Sequence, residues 1–407
     1  MPLPDPEGPD LMTSPRPDAM SDAPDCGFSP VENEPPLRWF RRLRLVPRDG
    51  LGAGRRAVFF ASLAWLPIVL WSATAGRLFD AGTGEPLLQH YGVHVRCLLA
   101  IPLLVLGEAS MHATVQRLTA QFVSSGIVGP GLREAFGSAI DRVRRLRDAS
   151  LPWVLLIGVA IAWSIADHPA VHEDALSWAL DADGRMGFGG AWFAFVVRPL
   201  FLALLLGWLW RILLVACLLW RIGRLDLSLV PTHPDRTGGM AFVEKLPGAF
   251  SLVSFALSAV IASGWAHEVV HHGAALRSFM HPAAAFAILW TMFAMLPLMA
   301  LAPALFAARA RAIPGYSALI ARQGRLVHRR WILREPVDDE RILDAPEIGP
   351  VADAASLYEA VRRMRVVPVG KAAILKVLVP IAVPLLVVAA VQVPLKDLMM
   401  KLVKTLI

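Results

Sequence analysis

The feature that most constrains this chain is an apolar, tryptophan-rich run at residues 200–220, which contains a single charged side chain, Arg211. A helix needs roughly 20 apolar residues to cross a hydrocarbon core of about 30 Å, so this run predicts a membrane-spanning helix. Arg221 and Arg224 lie at its end, and a polar turn follows at residues 232–239. The pattern therefore places a compact polar loop at one face of a membrane.

Six further apolar runs resemble this one. Because the chain is 56% apolar and 18% charged, it is too hydrophobic for an ordinary soluble protein. We predict an all-α, polytopic transmembrane helical bundle of about seven spans in contact with a lipid bilayer. The fourth run has no turn signal, which favours one long helix, tilted or kinked at Pro199. The predicted spans are residues 57–75, 93–109, 151–166, 190–220, 246–266, 283–308 and 372–393.

The distribution of basic residues predicts the orientation. With the N-terminus in the cytoplasm, the inner segments hold 29 Lys and Arg, whereas the outer loops and the C-terminal tail hold 7. This asymmetry follows the positive-inside rule. It predicts a multi-pass protein of a bacterial inner membrane with a cytoplasmic N-terminus and a periplasmic C-terminus. The net charge of +7 then requires no nucleic-acid partner.

The segments outside the spans have three different compositions. Residues 1–37 are Pro-rich and acidic, which predicts a disordered tail. Residues 39–45 are basic and aromatic, and suit either a headgroup surface or a solvated spacer. Residues 309–370 predict two cytoplasmic helices, at 316–333 and 353–365, that dock on the bundle, with Leu357, Val361 and Met364 on one apolar stripe. In the last part, 371–407, the seventh span precedes an amphipathic helix.

Arg211 is the first candidate functional residue, because an arginine near the middle of a membrane must find a polar partner or a wet cavity. Glu108, near the inner end of the second span, is the closest acidic residue in depth. We predict that the two side chains pair. The pair would act either as structural glue or as part of a polar pathway.

The second candidate is a metal motif. His267, Glu268 and His271 match H-E-x-x-H, in which a helix presents two imidazoles to zinc and a glutamate serves as general base. His281, Glu173 or Asp174 could provide a third ligand. Three interpretations stay open: a zinc metallopeptidase, adventitious metal binding, and a plain external loop with no cofactor. The three cysteines form neither a disulfide framework nor a C-x-x-C metal site.

The polar turn is the third candidate. In it, Pro234 fixes φ, the Asp235 carboxylate can accept backbone N–H bonds, and Gly238 and Gly239 permit positive φ. This predicts a tight cap before the next helix. The alternative for this turn, which includes His233, is an anion-binding nest, with Arg236 and the glycine N–H groups facing a phosphate or headgroup.

Residues 218–227 and 230–239, with 351–368 further on, resemble a group of uncharacterised bacterial integral membrane proteins that share the His-Pro-Asp loop. The resemblance implies a multi-span inner-membrane protein and brings no activity, cofactor or catalytic residue. From the residues themselves we favour a non-enzymatic scaffold or partner subunit with its cytoplasmic loops as contact surface. The alternatives are a transporter or channel with a polar site around Arg211, and the zinc metallopeptidase.

Overall fold

The computed structural model describes residues 27–44, 46–47, 50–79, 85–166, 178–179, 185–336 and 349–392. These residues confirm the prediction of an all-α polytopic bundle. The N-terminal half contributes α1 (Pro35–Arg42), α2 (Ala53–Thr74), α3 (Tyr91–Ser124), α4 (Arg133–Asp148) and α5 (Ser150–Ala166). The C-terminal half contributes α6 (Phe188–Gly223), α7 (Ala241–His271), α8 (Arg277–Met299), α9 (Ala302–Val327), α10 (Gly349–Arg362) and α11 (Lys371–Gln392).

Among the described residues, six helices are long and apolar enough to cross a membrane: α2, α3, α6, α7, α8 and α11. The pair α4 and α5, bent by 42° at residue 149, makes a seventh span if it is counted as one. The fourth predicted run is one continuous helix, α6, as expected. It contains a wide turn at Phe193–Val197, directly before Pro199. Proline has no N–H to donate to the preceding turn, which accounts for the irregularity at this point.

The sixth predicted span, residues 283–308, is not one helix. The chain turns at Ala300 and Leu301, so that α8 ends at Met299 and α9 begins at Ala302. Pro303 occupies the first turn of α9, where a missing N–H costs nothing, whereas inside a continuous helix its ring would clash with the preceding turn. The residues after the turn therefore belong to a separate helix outside the span.

The main core lies where α3, α6 and α7 meet, with α8 and α11 packed around them. Trp208 is fully buried there, and its indole N–H donates to the carbonyl oxygen of Leu104 at 2.9 Å. Gly107 permits this contact, because a Cβ at that position would lie 2.9 Å from Trp208 Cζ2. The small residue thus brings α3 and α6 close together at the depth of Glu108 and Arg211.

The prediction of disorder through residue 37 does not hold for residues 27–37. Phe28 and Val31 are fully buried against the bundle, and Leu37 is nearly so. The backbone N–H of Phe28 donates to Thr119 Oγ1 at 3.3 Å, and Arg147 Nη1 donates to the Ser29 carbonyl at 2.6 Å. Buried apolar side chains and these hydrogen bonds together hold the Pro-rich stretch against the bundle. Residues 1–26 lie outside the described part of the chain.

The segment between α8 and α11 forms two helices, as predicted, but with different limits. α9 begins well before the first predicted helix and continues as a wider helical stretch at His328–Leu333, which ends where predicted, and α10 ends at Arg362 and packs along α9. Val361 and Met364 are buried, whereas Leu357 is 40% exposed, so the predicted apolar stripe is wrong at Leu357. The predicted amphipathic helix after the last span lies outside the described residues.

Candidate functional site

Four charged side chains from four parts of the chain meet inside the bundle, and we call them the charge network: Glu34, Arg56, Glu108 and Arg211. Arg211 donates to both carboxylate oxygens of Glu34, from Nε to Oε1 at 3.0 Å and from Nη2 to Oε2 at 2.7 Å. Its Nη1 lies 2.9 Å from Glu108 Oε1. Arg56, in the first turn of α2, pairs with the other oxygen of Glu108. Two guanidinium groups therefore balance two carboxylates.

The charge network is almost completely removed from solvent. The four side chains are only 1–4% exposed. The guanidinium of Arg211 also lies 5.6 Å from the ring centroid of Trp153 and 5.9 Å from that of Trp208, distances at which cation–π attraction is effective. Such a group of charges persists in a low-dielectric interior only because each charge faces one of opposite sign.

A cavity of about 390 Å³ reaches the charge network between α5 and α6. Arg211, Glu34 and Glu108 line its polar end. The remaining walls are mostly apolar, and include Trp153, Ile157, Ile161, Phe195 and Leu200. The cavity is therefore suited to apolar groups and is not an aqueous channel.

Glu34 belongs to the N-terminal segment, outside the spans. Burial raises the pKa of its carboxyl from 4.5 to about 7, against the opposing effect of the Arg211 guanidinium. The neighbouring Glu108 carboxylate adds to the rise. Burial thus disfavours the charged form of the Glu34 carboxyl.

The sequence-predicted partners Arg211 and Glu108 are brought together by the structure, but they are half of the network. Glu34 was missed because it lies in a stretch with a disordered composition, 177 residues from Arg211. Arg56 was counted among the juxtamembrane basic residues. Arg56 directly precedes the first apolar run, but Arg211 and Glu108 already balance each other, so the sequence contains no signal for Glu34.

The polar turn at residues 232–239 is held together by Asp235. Its carboxylate accepts the backbone N–H groups of Thr237 at 2.8 Å, Gly239 at 3.2 Å and Ala241 at 3.0 Å. Partial burial alone would raise the pKa of Asp235, but these backbone donors prevail and hold it below its usual value. The carboxylate occupies the Gly239 N–H, one of the two glycine donors of an anion nest, and the Ala241 N–H at the start of α7, which supports the cap.

The same turn receives the end of α10. The backbone N–H of Arg365 donates to the Arg236 carbonyl at 2.7 Å, and its Nη2 donates to the Asp235 carbonyl at 3.2 Å. Arg365 Nη1 also pairs with Glu244 at 2.9 Å. Gly238 has a φ of +66°, and a Cβ there would lie 3.2 Å from Met364 Cε. The segment that contains α9 and α10 therefore docks on this turn. The side chains of His233 and Arg236 are exposed.

At the other end of α7, three side chains form what we call the His–Glu cluster: Glu85, His267 and His271. His267 Nε2 lies 3.2 Å from Glu85 Oε2, and His271 Nδ1 lies 3.5 Å from Glu85 Oε1. The ring of His90 stacks on that of His267, with 5.1 Å between centroids. Burial, followed by the nearby His267 and His271, lowers the pKa of His90 to about 4.

Among the described residues, the third member of the cluster is not His281, the one sequence candidate that the structure describes. Glu85, in the loop that precedes α3, takes that position. His281 is exposed in the first turn of α8, and Glu173 and Asp174 lie outside the described residues. Glu268, the motif's general base, is on the exposed side of α7.

Comparisons of the chain with protein-family models, curated proteins and solved structures gave no significant match.

Proposed function

We propose that this protein is a non-enzymatic scaffold of a bacterial inner membrane, which presents α9 to the acidic surface of a cytoplasmic protein. The observation that carries the proposal is the charge of α9 and of the turns that follow it. From residue 302 to residue 334 the chain contains seven arginines and no acidic residue. A helix whose charged side chains are all positive is suited to a partner whose surface is negatively charged.

Three of these arginines form a stripe on α9, which we call the arginine stripe: Arg311, Arg322 and Arg325. All three are exposed. At 100° per residue they fall within about 60° of one another around the helix, and at 1.5 Å per residue they extend over about 21 Å. Arg311 also lies 3.5 Å from the exposed carboxylate of Asp226, at the end of α6. One face of α9 thus carries three exposed arginines.

The way in which α9 is held supports this function. α10 packs along α9, and Arg309 Nη2 donates to the Arg362 carbonyl at 2.8 Å. The end of α10 is in turn fixed to the polar turn through Arg365. The helical pair is therefore anchored to the bundle, which lowers the ordering entropy that a partner would otherwise have to overcome.

The charge network supports a structural interpretation over a transport pathway. A pathway needs a charge that is free to bind a solute, but the guanidinium groups of Arg56 and Arg211 are already paired with the carboxylates of Glu34 and Glu108 at 1–4% exposure. The network joins α2, α3 and α6 to the N-terminal segment. We therefore assign it to the assembly of the bundle.

Site-specific photocrosslinking in native membranes tests the proposal. A crosslinking side chain at Ala318, which lies on the face of the arginine stripe and is exposed, should give a discrete protein adduct. Gly324 provides a matched control, because it is exposed near the opposite face and a Cβ there meets nothing within 4 Å. The control position should give little of that adduct.

Replacing the arginine stripe by Arg311→Gln, Arg322→Gln and Arg325→Gln together should reduce the Ala318 adduct about tenfold, because three exposed ion pairs contribute about 0.5 kcal/mol each. Added salt should reduce it in parallel. The proposal is wrong if Ala318 and Gly324 give equal adducts, if the glutamine variant retains the adduct, or if Ala318 crosslinks to lipid alone.

A further inference from the structure

We propose that the His–Glu cluster is a binding site for a divalent transition-metal ion of the Zn²⁺ type. The site is built from two separate parts of the chain. His267 and His271 are four residues apart, so the last turn of α7 presents both rings on one side. Glu85 approaches them from the loop before the short turn Leu87–Gln89. Local helix geometry thus provides two ligands, and tertiary packing brings the third.

The distances within the cluster match those around a bound ion. When nitrogen and oxygen ligands surround Zn²⁺ tetrahedrally at about 2.0–2.1 Å, neighbouring ligand atoms lie roughly 3.4 Å apart. The two closest pairs in the cluster are 3.2 Å (His267 Nε2 to Glu85 Oε2) and 3.5 Å (His271 Nδ1 to Glu85 Oε1). One atom from each of the three residues can be chosen so that all three lie within 4.8 Å of one another. Little rearrangement is needed to receive the ion.

The polar atoms of the cluster also lack the hydrogen bonds that buried groups normally have. Within the part of the chain that the structure describes, Glu85 Oε2, both ring nitrogens of His267 and His271 Nε2 are inaccessible to solvent and have no hydrogen-bond partner. Buried polar groups are nearly always paired with protein or water, so several orphaned groups at one place are unusual. A metal ion between the carboxylate and the imidazoles would satisfy Glu85 Oε2 and His267 Nε2, while His267 Nδ1 and His271 Nε2 face away from it.

The ligand types select the class of ion. Two imidazoles and one carboxylate suit Zn²⁺ and its first-row neighbours, whereas Ca²⁺ and Mg²⁺ prefer oxygen ligands throughout. Three protein ligands leave at least one coordination position open. Side-chain exposures of 14% for His267, 19% for His271 and 28% for Glu85 place the cluster just below the surface, with most of its polar atoms covered.

The arrangement supports ion binding and not peptide hydrolysis. In an H-E-x-x-H peptidase the glutamate acts on the metal-bound water, but Glu268 is exposed on α7. The ion would instead join the loop before α3 to the end of α7. Metal binding is thus expected to fasten these two helices at the face of the bundle opposite the polar turn.

The experiment is a Zn²⁺ titration of the full-length protein in detergent, after removal of metal, in competition with a chromophoric chelator. The wild type should bind one equivalent. Glu85→Gln, His267→Ala and His271→Ala should each weaken the affinity by roughly 100-fold or more, because even loss of an outer-shell partner costs 10- to 100-fold. His272→Ala, His281→Ala and Glu268→Gln are matched controls from the same surface and should retain it.

Co²⁺ gives a second measurement that does not depend on the variants. The wild-type protein with Co²⁺ should show the intense visible absorption of a four-coordinate ion with nitrogen and oxygen ligands, and thermal unfolding without metal should show that each variant folds. The proposal is overturned if the wild type binds no stoichiometric Zn²⁺ at micromolar free ion. It is equally overturned if His272→Ala or His281→Ala weakens binding as much as His267→Ala does.

Discussion

Replacing Arg211 by Met is the most informative perturbation of the bundle. The change removes one of two cations from the charge network but keeps an unbranched apolar side chain of similar length. Glu34 then loses the guanidinium that donates to both of its oxygens, and Glu108 is left with Arg56 alone. Two carboxylates would then face one arginine at a place where the side chains are only 1–4% exposed.

The expected loss of unfolding free energy follows from this excess of carboxylates over arginines. Breaking a buried ion pair by removal of one partner costs about 3–5 kcal/mol of unfolding free energy, because the remaining charge stays desolvated. Loss of the contacts to Trp153 and Trp208 adds to the cost, while new apolar contacts of the methionine offset part of it. A second change, Glu34→Gln, removes the stranded carboxyl and should recover about 1–3 kcal/mol.

The assay is reversible unfolding in mixed micelles for the wild type, the two single variants and the double variant. Arg211→Met should be much the least stable, and the double variant should lie between it and Glu34→Gln. The reasoning is refuted if Arg211→Met unfolds like the wild type. It is also refuted if adding Glu34→Gln lowers the stability of the Arg211→Met protein further.

Two further predictions concern pH and the polar turn. Because burial raises the pKa of Glu34 to about 7, the native state keeps a proton that the unfolded state releases near pH 4.5. The stability that this proton contributes should be complete below pH 4.5 and be lost as the pH rises toward 7, and Glu34→Gln should remove that slope from unfolding curves recorded between pH 4 and 8. Asp235→Ala should lower the unfolding free energy by about 2 kcal/mol, because three backbone N–H groups lose their acceptor. The pKa of Asp235 is depressed below 3.8, so the contribution of its charge should be present above that pH and lost below it; an unchanged Asp235→Ala protein at pH 7 would contradict the cap.

The spans could be predicted because the hydrocarbon thickness sets the number of consecutive apolar residues that a spanning helix needs, and such a run is a local property of the sequence. A long apolar run such as residues 190–220 has one stable conformation in a membrane, which is a helix. The structure shows this helix as α6. Pro303 was a local signal too, but hydropathy alone extended the sixth span across it. The cap at Asp235 was predictable for the same reason, because its acceptor and donors lie within six residues of one another.

The candidate sites were only partly predictable, because their completing residues are distant in sequence. The spacing of His267 and His271 indicates two ligands on one helix, but nothing local identifies Glu85 as the third. In the same way, Arg211 requires an acidic partner inside the bundle, but nothing near it in the sequence identifies Glu34 as that partner. Both completing residues lie in irregular segments, where periodicity gives no information about what a side chain contacts.

The account requires the arginine stripe and the His–Glu cluster to lie on opposite sides of the membrane, with the stripe inside the cell. Single cysteines at Arg325 and His272, in a protein whose Cys26, Cys97 and Cys217 have been replaced, can report this directly. A membrane-impermeant maleimide should label the cysteine at position 272 in intact cells and the cysteine at position 325 only after lysis. Labelling of both positions from the same side, or the reverse pattern, would contradict the account.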